Sequence, residues 1–86
     1  LTFELFGYPK DKRERLQPLT MRGVSFSADP ATLREIAQFL LDSADLLELH
    51  GSRFGHEHLQ DNWKGWKKGF PDLVVGNPDP KPDDSD

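Results

Sequence analysis

His56-Glu57-His58, within FGHEHLQD at residues 54–61, packs the most titratable chemistry into the shortest stretch of the chain. A zinc-protease helix needs HExxH, because positions i and i+4 bring two imidazoles onto one helix face. The spacing here is i and i+2, which aligns the rings only on a strand, about 7 Å apart. Two such imidazoles can share a metal, yet a zinc site takes at least three protein ligands. His50, Glu57 and Asp61 are the nearby donors, and on a regular strand Glu57 and Asp61 face away from the two histidines. The pattern favours polar strand positions or a partner-facing patch. A metal-binding or metal-dependent domain centred on His56 and His58 is the alternative.

Three other groups of residues could do chemistry. NWKGWKKGF at residues 62–70 interleaves Trp63 and Trp66 with lysines, a mixture that can stack bases and neutralise phosphates. In so short a chain, folding the tryptophans back onto the core is the better use of them. A ring left exposed would make a natural anchor for a protein partner. Asp42 and Asp45 are paired carboxylates on an expected helix face with no cleft implied, so they read as a solvated or partner-facing acidic surface. Nucleophilic catalysis lacks material: the chain has no cysteine, no serine sits in a GxSxG elbow, and no glycine-rich phosphate loop is present. Ser25 and Ser27 precede the helix and suit a turn. The reading is of a non-enzyme without a cofactor.

The elements that must carry these residues follow from periodicity. Leu1, Phe3 and Leu5 alternate with Thr2 and Glu4, a strand pattern that Phe6 interrupts. GYPKDKRERLQP reads as a connecting loop, and LTMRGVSFSA as a second strand with Val24 and Phe26 pointing into the core and Arg22 near the sheet's end. Next comes a helix with both ends marked. Asp29 is a good N-cap, Pro30 fits the first turn, His50 faces the negative end of the dipole and Gly51 suits the left-handed C′ position. Leu33, Ile36, Ala37, Leu40, Ala44 and Leu47 recur at helical spacing as the expected core stripe. Phe39 and Leu46 fall off that stripe, either covered by the 63–70 loop or the C-terminal segment or forming a partner surface.

GHEHLQD is expected as a third strand, and Asp72–Val75 of DLVVGNP as a fourth. The fold class is therefore α+β: two layers, a mainly antiparallel four-stranded sheet covered on one face by a single helix, in the order β-β-α-β-β. Residues 1–76 form a single domain. The stretch 77–86 is an acidic, proline-containing tail expected to be disordered. The second face of the sheet lacks a cover, which makes a homodimer a candidate assembly.

Composition narrows the partners. The 86 residues carry a net charge of −4. Residues 23–62 hold seven acidic and two basic side chains, while 63–70 hold three lysines. A chain without a broad basic surface is a poor match to nucleic acid. Glu4 interrupts the apolar start and no basic region precedes it, so that start lacks the pattern of a secretory signal. No apolar run approaches the ~20 residues of a membrane span. The absence of cysteine fits a reducing cytoplasm. Because the first residue is Leu1 rather than Met, the true start is expected upstream or trimmed.

ELFGY, MRGVSFSADPATLREIAQFLLDSADLLELHG, FGHEHLQDNW and FPDLVVGNP together resemble a family of small α+β immunity proteins of bacterial polymorphic toxin systems. The resemblance spans most of the chain apart from the 9–18 loop and the acidic tail. It implies a non-catalytic cytoplasmic protein that binds and neutralises a partner toxin, and it brings no residue-level site with it. The surfaces available for such binding are the acidic helix positions Asp42 and Asp45, His56 and His58, Trp63 and Trp66, and the off-stripe pair Phe39 and Leu46.

Overall fold

A computed structural model of the chain describes residues 3–9 and 21–79. The order is β1 (Phe3–Pro9), β2 (Met21–Ala28), α1 (Pro30–His50), a 3₁₀ turn (Gly51–Arg53), β3 (His56–His58), α2 (Leu59–Asn62) and β4 (Val74–Gly76). The expected 9–18 loop lies almost wholly outside the described residues.

β1 and β2 form an antiparallel pair in register from Phe3↔Ala28 to Tyr8↔Gly23. The register shifts between Tyr8 and Pro9, where proline has no N–H to continue the ladder. α1 begins and ends where its caps place it. The Asp29 carboxylate accepts from the Thr32 backbone N–H at 3.2 Å and from the Thr32 hydroxyl at 2.7 Å. Gly51 takes φ 58°, a conformation that favours glycine, and its N–H donates to the Leu47 carbonyl.

Two expectations are corrected. The strands do not join into one four-stranded sheet: β1–β2 and β3–β4 are separate two-stranded antiparallel sheets, and a second, one-turn helix follows β3. At Phe3 the contact between the halves is through side chains and not a backbone ladder: its ring meets Trp63 at 6.5 Å and Phe70 edge-on at 5.6 Å. β3 is also too short to extend a sheet. It stops at His58 because Leu59–Asn62 turns helical, which takes Gln60 and Asp61 off the strand that alternation assigned to them.

The second correction is the rotation of α1. Its buried residues are Thr32, Ile36, Phe39 and Ser43, whereas Leu33 and Leu40 are 42% and 45% exposed. Phe39, a candidate partner residue in the sequence, is a core residue at 5%. Val24 and Phe26, expected inside, are about half exposed. The core is the cluster of Phe3, Ile36, Phe39 and Leu59. Trp63, Trp66, Phe70, Leu73 and Val75 pack against it half-buried. Thr32 and Ser43 are small enough to bring α1 close to this layer, and that closeness decides which stripe is buried.

The chain is tied beyond β4 as well. Asn77, the first residue of the expected tail, donates through Nδ2 to the carbonyls of Gly51 at 3.0 Å and Phe54 at 2.8 Å. Its Oδ1 accepts from the Asp79 N–H at 2.9 Å. Residues 80–86 lie outside the described residues.

Candidate partner-binding site

β3 pairs with β4 through His56↔Gly76, Glu57↔Val75 and His58↔Val74, which fixes the side-chain alternation of the HEH triplet. His56 and His58 share a side, with ring centroids 5.0 Å apart and nearly perpendicular. His58 is not a free ligand. Its Nδ1 donates to Oδ2 of Asp72 at 2.5 Å, and Oδ1 of the same carboxylate accepts from the Gln60 N–H at 3.0 Å. The hydrogen bond to Asp72 raises the His58 pKa above its ordinary 6.5, overcoming the opposite pull of desolvation. Burial pushes the Asp72 carboxyl up, but the bonds from His58 and Gln60 outweigh it and hold the group below its ordinary 3.8.

The pair works as a clasp. It joins the start of α2 to the chain entering β4 and so closes the loop that carries both tryptophans. A carboxylate on one nitrogen of an imidazole also orients the other nitrogen, as metal sites require. Among the described residues, however, no three His, Asp or Glu side chains converge to hold an ion.

Trp63 stacks on Phe70 at 5.9 Å and 17°, and the Trp66 indole N–H donates to the Pro71 carbonyl at 3.0 Å. Both rings are half-buried parts of the aromatic layer. The loop is thus the folded-back one, with an isolated bridge between Lys68 and Phe70 inside it.

A concave feature of the surface lies elsewhere, between α1 and the β3–α2 corner. It is a cleft of about 70 Å³. Its walls carry three carboxylates, Glu35 and Asp42 from α1 and Glu57 from β3. Phe39, Ser43 and Leu46 form its deep side, and Gln38 and Asn62 complete the rim. Helical spacing explains the α1 wall, since 35, 38, 39, 42, 43 and 46 follow one another at intervals that share a face. Glu57 reaches this wall because it alternates with the two histidines, which point to the other side of β3.

The polar groups in the cleft are organised. Gln38 Nε2 donates to Asp42 Oδ1 at 2.8 Å. Asn62 Nδ2 donates to Glu57 Oε1 at 3.2 Å and to the His58 carbonyl at 2.7 Å. Asn62 spends both N–H groups and Gln38 one of its two, so both amide oxygens remain open to a donor. No cation lines the cleft.

The structure therefore gathers some of the residues nominated from sequence and separates others. Asp42, Leu46 and the edge of Phe39 meet in the cleft. Asp45 is exposed outside it, His56 is an exposed strand residue, His58 serves the clasp, and the tryptophans serve the aromatic layer. Glu35, Gln38, Ser43, Glu57 and Asn62 were not nominated as binding residues. For Glu35 the signal is its position seven residues before Asp42, which puts the two on one face of a helix. Asn62 gave no signal, because it meets α1 through a contact that only the fold creates.

Comparison with known proteins bears on the role of this surface. No curated protein and no solved structure matches the chain. The family model Immunity protein 32 matches residues 23–78, from β2 through β4, and so covers every residue of the cleft and of the His58–Asp72 clasp. The match spans well over half of the chain, which belongs to the Immunity protein 32 family.

Proposed function

We propose that the chain is an immunity protein that neutralises a partner toxin by binding it, without catalysis, in the cytoplasm. Family membership across residues 23–78 carries this reading. One feature supports the non-catalytic part. A cleft of about 70 Å³ is far below the roughly 300–1,000 Å³ of small-molecule sites. The acidic balance of residues 23–62 supports a basic partner, since complementary charge speeds encounter and sets specificity. No helix among the described residues is long and apolar enough to cross a membrane.

The test is co-expression with a candidate toxin, taken first from any gene adjacent to that of this chain. Rescue of growth, with the two chains co-purifying, is the expected result. Undiminished toxicity while this protein accumulates folded would refute the proposal. Self-association is a second reading, favoured by the half-exposed Phe6, Val24 and Phe26 on the β1–β2 pair and by Leu33, Leu40 and Leu41 on α1. Sedimentation equilibrium distinguishes it: a monomer mass at all concentrations would remove it.

A further inference from the structure

We propose that the cleft between α1 and the β3–α2 corner is the seat for an arginine side chain presented by the partner. The partner's identity as a toxin rests on the immunity reading above, whereas the guanidinium specificity rests on the cleft itself. Three carboxylates, Glu35, Asp42 and Glu57, face one small space with no cation among them. Charge of one sign in a concave, partly desolvated site calls for the opposite charge from outside.

A second observation is independent of the acidic groups. Ser43 is 2% exposed and lines the cleft, and its hydroxyl has no hydrogen-bond partner among the described residues. Among those residues no sealed side-chain nitrogen or oxygen lacks a partner, so this hydroxyl opens into the cleft. Such a hydroxyl can turn its O–H toward a carboxylate, and its lone pairs stay open to a donor from outside.

Arginine fits better than lysine for two reasons. The acceptors are dispersed around the cleft: carboxylates on both walls, the amide oxygens of Gln38 and Asn62 on the rim, and the Ser43 hydroxyl at depth. Five N–H donors in a planar fork reach dispersed acceptors, while an ammonium offers three from one point. The deep side also includes Phe39 and Leu46, and a guanidinium plane is weakly hydrated and packs on such surfaces. The volume of about 70 Å³ suits a side-chain head group.

The experiment titrates the folded chain, at low salt, with N-acetylarginine amide and follows its backbone amides by NMR. N-acetyllysine amide supplies charge without the plane, and N-acetylcitrulline amide supplies the plane without charge. Saturable shifts at Ser43, Glu57 and Asn62 are expected with arginine, weaker binding with lysine and none with citrulline. Glu35→Gln and Glu57→Gln keep shape and should each weaken arginine binding about two- to fivefold. Equal responses to arginine and citrulline, shifts that never saturate, or variants that bind as the parent does would each overturn the proposal.

The two readings fail separately. If arginine saturates the cleft but the candidate toxin does not bind, the seat stands and the immunity role falls. If the toxin binds equally well to parent and both variants, and arginine does not saturate, the seat falls and the immunity role stands.

Discussion

Replacing Asn77 by alanine tests how the end of the chain is tied to the end of α1. The side chain spans 26 residues to reach Gly51 and 23 to reach Phe54, so its bonds hold the segment after β4 against the 3₁₀ turn. Gly51 also accepts from the Phe54 N–H at 2.9 Å and keeps that partner in the variant, so its loss is small. The part-buried bond to Phe54 matters more, because the Phe54 residue is only 5% exposed and water replaces a donor poorly there. At about 0.5–1.5 kcal/mol per hydrogen bond, and with little lost at Gly51, the substitution should cost about 1 kcal/mol. For a domain of this size that corresponds to a fall of about 4–8 °C in Tm. Urea unfolding followed by circular dichroism should show a lower midpoint with an unchanged slope, since the surface exposed on unfolding is the same. Asn77→Asp removes the donors while keeping Oδ1, and should destabilise at least as much as alanine. A Tm within about 2 °C of the parent for both variants would mean that Asn77 belongs to a loose tail and anchors nothing.

Other predictions follow from the same geometry. The raised His58 pKa contributes stability fully present below pH 6.5 and lost as pH rises through the raised value; the lowered Asp72 pKa contributes above pH 3.8 and is lost as pH falls through the lowered one. The stability gap between the parent and Asp72→Asn should therefore be widest between these two pH values, and an NMR midpoint for His58 at or below 6.5 in the parent would contradict the clasp. Gly65→Ala places a Cβ 2.8 Å from Trp63 Nε1 and should cost about 1–3 kcal/mol with a changed near-UV tryptophan spectrum. An unchanged spectrum would show that the indole does not lie over Gly65. Phe39→Ala should cost about 3–5 kcal/mol, a large part of the roughly 5–15 kcal/mol that holds a domain together, while Leu40→Ala should cost under about 1.5. The reverse order in denaturant titrations would restore the other helix rotation.

What the sequence revealed divides along local and non-local lines. The limits of α1 were legible because Asp29, Pro30 and Gly51 act within a turn of where they stand. The β1–β2 strands were legible because alternation is local too. The rotation of α1 was not, since the helix offers two stripes one position apart, and only the arrival of Leu59 and the aromatic layer selects the one with Thr32 and Ser43. The single sheet was inferred by counting strands, and Phe3 shows why the count misled: beyond its pairing with Ala28, it meets the rest of the chain through the rings of Trp63 and Phe70 rather than through a further strand. At the candidate site, Asp42 and Leu46 were named, but the acidic cleft was not. Glu57 crosses from β3 to face Glu35, and no spacing rule carries that information across more than twenty residues.

The HEH triplet illustrates the same limit. Strand spacing correctly set His56 and His58 side by side, while the partner that defines His58, Asp72, lies 14 residues further on. That partner makes the triplet a fastening between α2 and the segment before β4. The binding surface is better sought on the opposite side of β3, where Glu57 points.

Calorimetric titration of this chain with the purified domain of a candidate toxin that it protects against in co-expression bears on the immunity role without intermediaries. Saturation at one chain per toxin, with inhibition of the toxin rising in parallel with occupancy, is the predicted result. A folded chain that gives no binding heat across several temperatures, and leaves the toxin fully active at large excess, would rule that role out.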